Sequence, residues 1–147
     1  LSELRELDLQ GSGVSAVPEG LKGLVNLKRL DLCDVSRIKT IPNGLLPNIS
    51  RLQCLRLDNC IQVDVQMEEL ISLRQLEMLG VHFSNLHKFN RYVNTHHWQR
   101  LSHYRLQTRG QYTGDSLLCC RQVYLKDYNL CGREENNHVI VLPTNMQ

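Results

Sequence analysis

Leucines recur along the first half of the chain in a fixed pattern. Four segments share the motif LxxLxL, with Val81 in the last leucine position of the fourth, and they begin at Leu4, Leu27, Leu52 and Leu76. In each segment the last two apolar positions alternate with a polar or small residue, which predicts a short strand with one buried face. The nearly constant interval lies in the range of leucine-rich repeats, and it predicts a stack of similar units rather than one irregular core.

The segments between these strands carry leucines three positions apart, as at Leu21, Leu24 and Leu27. This spacing predicts a helical or 3₁₀ turn whose apolar side packs back on the strand. A single unit cannot offset a conformational entropy of about 1–2 kcal/mol per residue, so each unit depends on burial against its neighbours. We therefore predict an α/β fold, a leucine-rich-repeat solenoid: a curved parallel β-sheet with helical, 3₁₀ and loop segments on its convex side.

The repeat becomes less regular after Phe89. A fifth motif begins at Leu101, one further interval after the fourth, and residues 122–125 and 138–141 are candidates for a sixth and a seventh strand. We predict regular repeats over residues 1–90 and irregular, degenerate repeats of the same domain over residues 91–147. Because the pattern is already under way at the first residue, we expect the domain to be truncated at both ends.

The motifs in residues 1–90 resemble the leucine-rich-repeat domain of plant disease-resistance proteins. The resemblance lies in residues 4–21, 24–32 and 49–53, and its most specific stretch, residues 68–77, has the form EELxSLxxLE. Proteins with these motifs are immune receptors that also contain a coiled-coil and a nucleotide-binding domain. The resemblance therefore implies a cytoplasmic receptor of innate immunity.

The resemblance also implies what the chain does. It would sense a pathogen effector or a guarded host protein, and it would pack on the receptor's own nucleotide-binding domain to hold that domain inactive. No GxxxxGK[ST] phosphate loop occurs in the sequence, so ATP or ADP is expected only in an upstream domain of the full receptor. We expect no enzymatic activity, no cofactor and no small-molecule substrate in this chain.

Residues that flank the buried leucines of such a strand face the concave surface, and they form the candidate binding face. Residues 1–87 hold nine basic and eleven acidic residues (net −2), whereas residues 88–147 hold eight and four (net +4). We expect a face that is acidic at the front and basic at the rear, suited to a partner of opposite polarity. The alternative is a solvated surface with a chance asymmetry. The candidate residues are Glu6, Asp8, Arg29, Asp31, Arg56, Asp58, His82, His103, Arg105, Tyr124 and Lys126.

Other clusters do not predict chemistry. Basic and aromatic residues alternate over residues 88–112, which is typical of nucleic-acid binding, but the aromatic residues can equally replace leucine in the core. We favour packing and expect no nucleic-acid partner. No spaced cysteine pair completes a zinc site with the histidines, so we expect those to lie at the surface. These histidines are His96, His97 and His103.

Three cysteines near the end of the chain, Cys119, Cys120 and Cys131, lack a Cys-His-acid pattern, and we expect them to be buried rather than catalytic. No apolar run approaches the roughly 18 residues that span a bilayer, so we expect no membrane span. Two other assignments stay open. One is the leucine-rich ectodomain of a cell-surface receptor, and the other is a leucine-rich substrate adaptor of a ubiquitin ligase.

Overall fold

The strands of the described residues form one open sheet in which every neighbouring pair is parallel and the spatial order equals the chain order. This computed structural model describes residues 3–57, 65–84 and 86–108, together with the backbone of residues 122–123. The strands are β1 (Glu6–Asp8), β2 (Arg29–Asp31), β3 (Cys54–Arg56), β4 (Met78–Phe83), β5 (His103–Thr108) and β6 (Gln122–Val123).

Short helical segments connect the first five strands, which makes the fold α/β. A 3₁₀ helix at Glu19–Gly23 leads from β1 to β2. The α-helices of the described residues follow in chain order: α1 (Leu45–Asn48), α2 (Met67–Ile71) and α3 (Leu86–Asn94). A second 3₁₀ helix at His97–Arg100 comes after α3 and leads into β5.

Equivalent positions of successive motifs lie side by side in the sheet. Leu30 pairs with Leu7 on one side and with Leu55 on the other. Leu79 continues the row, and Tyr104 follows it on β5. The strands predicted at the first four motifs and at the fifth are confirmed. Part of the sixth is confirmed as β6, whereas residues 138–141 lie outside the described part of the chain.

Each of the first four strands is immediately preceded by a residue whose main-chain carbonyl accepts hydrogen bonds from the start of the next strand. The carbonyl of Arg5 accepts hydrogen bonds from two successive N–H groups, those of Lys28 and Arg29, at 2.6 and 3.0 Å. The same arrangement recurs one strand further along at each step, so the hydrogen bonds fix the register where the strand starts. The four accepting carbonyls belong to Arg5, Lys28, Gln53 and Glu77.

The leucines spaced by three form the second layer of the core. The N–H groups of Leu21, Leu24 and Leu27 donate to the carbonyls three positions earlier, at 3.0, 3.0 and 2.9 Å. These are 3₁₀ bonds, and they place successive leucines on one side of the backbone. All three are buried. The prediction of a helical or 3₁₀ turn with its apolar side inward is confirmed.

Aromatic residues replace leucines where the core continues towards β5. Phe89, Tyr92, Trp98 and Tyr104 are buried there. Phe83 packs edge-on against Phe89, with ring centroids 5.9 Å apart. The aromatic residues that the structure describes within residues 88–112 are therefore core residues, as the packing interpretation predicts. The remaining one, Tyr112, lies outside the described residues.

Candidate interaction face of the sheet

The sheet has a polar face on the side away from the leucine core, which we call the outer face. It carries the residues that alternate with the buried leucines, because side chains alternate between the two faces of a strand. Register places them in two rows that cross the strands. The first row is Glu6, Arg29, Cys54, Met78 and His103. The second row is Asp8, Asp31, Arg56, Gly80 and Arg105.

Eight of the eleven candidate residues lie within the described part of the chain, and they differ in exposure. Glu6, Asp8 and His103 are exposed, and Arg29 and Arg56 are partly exposed. The other three are buried although they lie on the outer face; these are Asp31 (0% exposed), His82 (5%) and Arg105 (6%). The predicted positions of Asp58, Tyr124 and Lys126 lie outside the described residues.

Asp31 is the centre of a charged cluster on the outer face. Its Oδ2 lies 3.4 Å from the guanidinium of Arg29 on the same strand and 3.4 Å from that of Arg56 on the next strand. Its Oδ1 accepts the N–H of Cys33 at 3.0 Å. These contacts compensate the buried carboxylate, so its charge is directed at the protein rather than at a partner.

The first strand differs, because its acidic residues face solvent. Asp8 accepts the N–H of Gln10 at 2.9 Å, which repeats the turn seen at Asp31. Neither Glu6 nor Asp8 forms an ion pair with any residue that the structure describes. The acidic front of the face is therefore present at β1. Of the predicted basic rear, Arg105 is buried, which does not agree with its predicted place on the accessible face, and Lys126 lies outside the described residues.

The first row lines an open groove of about 440 Å³ along the amino ends of the strands. Its walls include the exposed Glu77 and the partly exposed Lys28. Two sulfur atoms meet there: the thiol Sγ of Cys54 lies 3.6 Å from the thioether Sδ of Met78. Sequence reasoning missed this pair, because the two residues are one repeat apart along the chain and belong to different strands.

The sequence predicts His97 at the surface, and the structure corrects this. His97 is partly buried in a 3₁₀ helix, and both of its ring nitrogens have partners. Nε2 lies 2.9 Å from the carbonyl oxygen of Leu73, and Nδ1 lies 2.7 Å from the hydroxyl of Tyr92. Because a carbonyl only accepts, Nε2 carries the hydrogen and Nδ1 accepts from Tyr92. Burial lowers the pKa of His97, against the opposing effect of the bond to Leu73.

Burial dominates the titration of the Tyr92 hydroxyl as well, since it raises the pKa of that group far above its ordinary value. His96, by contrast, is exposed, with a left-handed backbone (φ 62°) immediately before the 3₁₀ helix. The two adjacent histidines therefore lie in a turn and in a 3₁₀ helix, respectively.

No group of three or more His, Cys, Asp and Glu side chains within residues 3–57, 65–84 and 86–108 is arranged to hold a metal ion. In the same residues no helix has the length and apolar character needed to cross a membrane. No protein-family model and no curated protein matches the chain.

Proposed function

We propose that the chain is part of a leucine-rich-repeat solenoid in an intracellular plant immune receptor, where it recognises proteins and catalyses no reaction. Two observations support the repeat architecture. Parallel strands follow one another in chain order, and from β1 to β5 each begins one repeat interval after the last. The segment between successive strands turns its spaced leucines inward against the sheet.

The observation that carries the recognition role is the accessible outer face. Parallel sheets are ordinarily covered on both sides, and their strands are then apolar throughout. Here the outer face carries charged or titratable side chains at accessible positions on β1, β2, β3 and β5, such as Glu6, Arg56 and His103. A broad polar surface on a sheet with fixed register is suited to another protein, because it offers many separate contacts over a large area.

The charges are distributed unevenly over the outer face. The exposed acids Glu6 and Asp8 stand at one edge, next to a cluster in which Asp31 is neutralised by two arginines. We propose that the partner, a pathogen effector or a guarded host protein, places a basic patch over β1. In this proposal the receptor's own nucleotide-binding domain also packs on the solenoid, and ATP or ADP binds in that domain in the cytoplasm.

A photo-crosslinking experiment tests the recognition role. A photoreactive residue is placed at Glu6 on the outer face, or at Glu19 in the 3₁₀ helix behind the core, and both chains are expressed in plant cytosol. The proposal expects a defined protein that cross-links from position 6 and not from position 19. Cross-links that do not depend on the face would overturn it.

A full-length transcript tests the receptor assignment separately. A phosphate-loop domain encoded upstream of Leu1 supports the immune receptor. A signal peptide would favour the cell-surface ectodomain, and an F-box would favour the ubiquitin-ligase adaptor.

A further inference from the structure

Three metal-ligating side chains occupy the same position of three successive repeats. Cys54, Met78 and His103 each lie a full repeat apart, so they do not form a motif along the sequence. Register brings them together, because Cys54 pairs with Met78 on β4, and Met78 pairs with His103 on β5. We propose that these three side chains form a binding site for a soft monovalent cation, copper(I), in the groove of the outer face.

The two sulfur atoms already have the separation that a shared cation requires. Metal–sulfur bonds are about 2.3 Å long. Two such bonds to atoms 3.6 Å apart enclose an angle of about 100° at the ion, close to that of a trigonal-pyramidal or tetrahedral site. The cation therefore replaces the thiol hydrogen that Cys54 directs at Met78, with little movement of either side chain.

His103 supplies the third donor. Its Nδ1 lies 3.0 Å from the hydroxyl of the preceding residue, Ser102, which holds the ring. Among the described residues no group is hydrogen-bonded to Nε2, so this nitrogen is available to a ligand. Neighbouring strands lie about 4.8 Å apart, and the imidazole is long enough to reach an ion held at Met78. A hydrogen bond to the other ring nitrogen is the usual support of a metal-bound histidine.

The donor set decides the kind of ion. A thiolate, a thioether and an imidazole are soft or intermediate ligands, which favour copper(I) over magnesium or calcium. Structural zinc sites use thiolate, imidazole and carboxylate, so a thioether disfavours zinc. On the far side of Cys54, the guanidinium of Arg29 is directed at Asp31, which limits its repulsion of a cation.

Binding changes no oxidation state. The S–H bond of Cys54 breaks and its proton passes to solvent, while a bond forms between sulfur and copper. The copper enters and leaves as copper(I). Because one positive ion replaces one proton, the net charge of the outer face is unchanged, and the site is independent of the charge pattern in the proposed function.

The test must separate this site from the other thiols of the chain. In the chain carrying Cys60→Ser, Cys119→Ser, Cys120→Ser and Cys131→Ser, only the buried Cys33 and the groove residue Cys54 remain. This protein is titrated anaerobically with copper(I) against a coloured chelator such as bicinchoninate. One bound equivalent is expected, and Cys54→Ser should abolish it.

Two variants test the shared site. Met78→Leu and His103→Asn should each weaken copper(I) by at least about tenfold, since even the loss of a residue that only orients a ligand has an effect of that size. Met67→Leu, His96→Asn and Cys33→Ser are the matched controls and should bind as the parent does. Each variant's thermal transition is recorded beside its titration.

Affinity that is unchanged by both Met78→Leu and His103→Asn would overturn the proposal, because it would show an adduct of the thiol alone. The absence of a bound equivalent in the folded parent would overturn it too. If the four-serine chain does not fold, the same two variants are made in the native chain, and the tightest class of copper(I) is compared.

Discussion

His97 joins two repeats through a single hydrogen bond, in which its Nε2–H donates to the carbonyl oxygen of Leu73 at 2.9 Å. The two residues are one repeat length apart along the chain, and Leu73 is fully buried. Tyr92 completes the arrangement by donating its hydroxyl hydrogen to Nδ1 at 2.7 Å. The neutral imidazole is therefore the form that this part of the core requires.

We expect the free energy of unfolding to decrease as the pH falls below about 6.5, the ordinary pKa of histidine. Burial lowers the pKa of His97 in the folded chain, so at such a pH the unfolded chain binds a proton that the folded chain does not. The stability that this residue contributes is thus present above a pH of about 6.5 and is lost towards the lower, folded-state value. Denaturant unfolding at several pH values on both sides of this point measures it.

The variant His97→Gln isolates this effect, because glutamine can still donate to a carbonyl but does not titrate. Its stability should depend less on pH than that of the parent, and the exposed His96→Gln should keep the parental dependence. Equal pH dependence in the parent and in His97→Gln would contradict the assignment.

The side chain of Glu69 on α2 is hydrogen-bonded to the preceding repeat, and its removal should lower the stability of the fold. Its carboxylate accepts the N–H of Gly44 at 2.6 Å, where the backbone is left-handed (φ 81°) immediately before α1. Hydrogen bonds to charged groups contribute about 1.5–3 kcal/mol. For a partly buried pair we expect the lower end, so Glu69→Ala should lower the free energy of unfolding by about 1.5–2 kcal/mol. Chemical denaturation of the variant beside the parent measures the loss.

The neighbouring acid provides the control for Glu69. Among the described residues the ion-pair partner of Glu68 is an exposed guanidinium, that of Arg91 at 3.7 Å, and surface pairs of this kind contribute about 0–1 kcal/mol. Glu68→Ala should therefore change stability less than Glu69→Ala in the same denaturant titration. The reverse order would show that the bond to Gly44 does not stabilise the fold.

Asp31→Asn should destabilise the chain, although it keeps the size and the acceptor of the side chain. It leaves the guanidinium groups of Arg29 and Arg56 without the buried carboxylate that they share. We expect a loss of about 1–3 kcal/mol, and it should be smaller at high salt if the charges are responsible. Thermal unfolding at two salt concentrations measures the loss of stability and its dependence on salt.

The register partner of Asp31 is its matched control. Asp8 makes the same turn to the N–H two positions ahead but is exposed, and no arginine is bonded to it among the described residues. Asp8→Asn should therefore leave stability nearly unchanged. An equal loss in the two variants would place the stabilisation in the turn rather than in the charges.

Reversal of the exposed acids should weaken partner binding without unfolding the chain. Glu6→Lys combined with Asp8→Lys turns the front edge basic, and we expect slower association with a basic partner and a smaller salt dependence. The readout is association kinetics with the protein captured by the cross-linker at position 6. Glu19→Lys is the control on the opposite side, and an equal effect there would contradict the role of the outer face.

The repeat could be predicted from the sequence because its signal is local and redundant. Each LxxLxL segment by itself indicates a strand with one buried face, and four segments in phase indicate that the strands stack. The same reasoning places Leu21, Leu24 and Leu27 on one side of a 3₁₀ turn, because the spacing of three is visible within one short segment.

The candidate face was predictable in its position and not in its energetics. That Asp31 and Arg56 share one face follows from alternation, but their pairing depends on the register between two strands that lie a whole repeat apart along the chain. The same limit applies to Cys54, Met78 and His103, and to His97 with Leu73. In each case the partner lies one repeat away, and only the stacking of repeats brings the groups together.

The main-chain carbonyls that accept hydrogen bonds from the next strand are equivalent from one repeat to the next, which determines how the number of repeats can change. Because Arg5 and Lys28 offer equivalent acceptors, deletion of one whole repeat would present the N–H groups of Gln53 and Cys54 to Arg5 in place of those of Lys28 and Arg29. The gain or loss of a complete repeat therefore preserves the main-chain hydrogen bonds at the strand starts, whereas a fractional insertion displaces every later strand start. A gene with this architecture can change the length of its product in steps of one repeat and keep the main-chain pairing of every strand start.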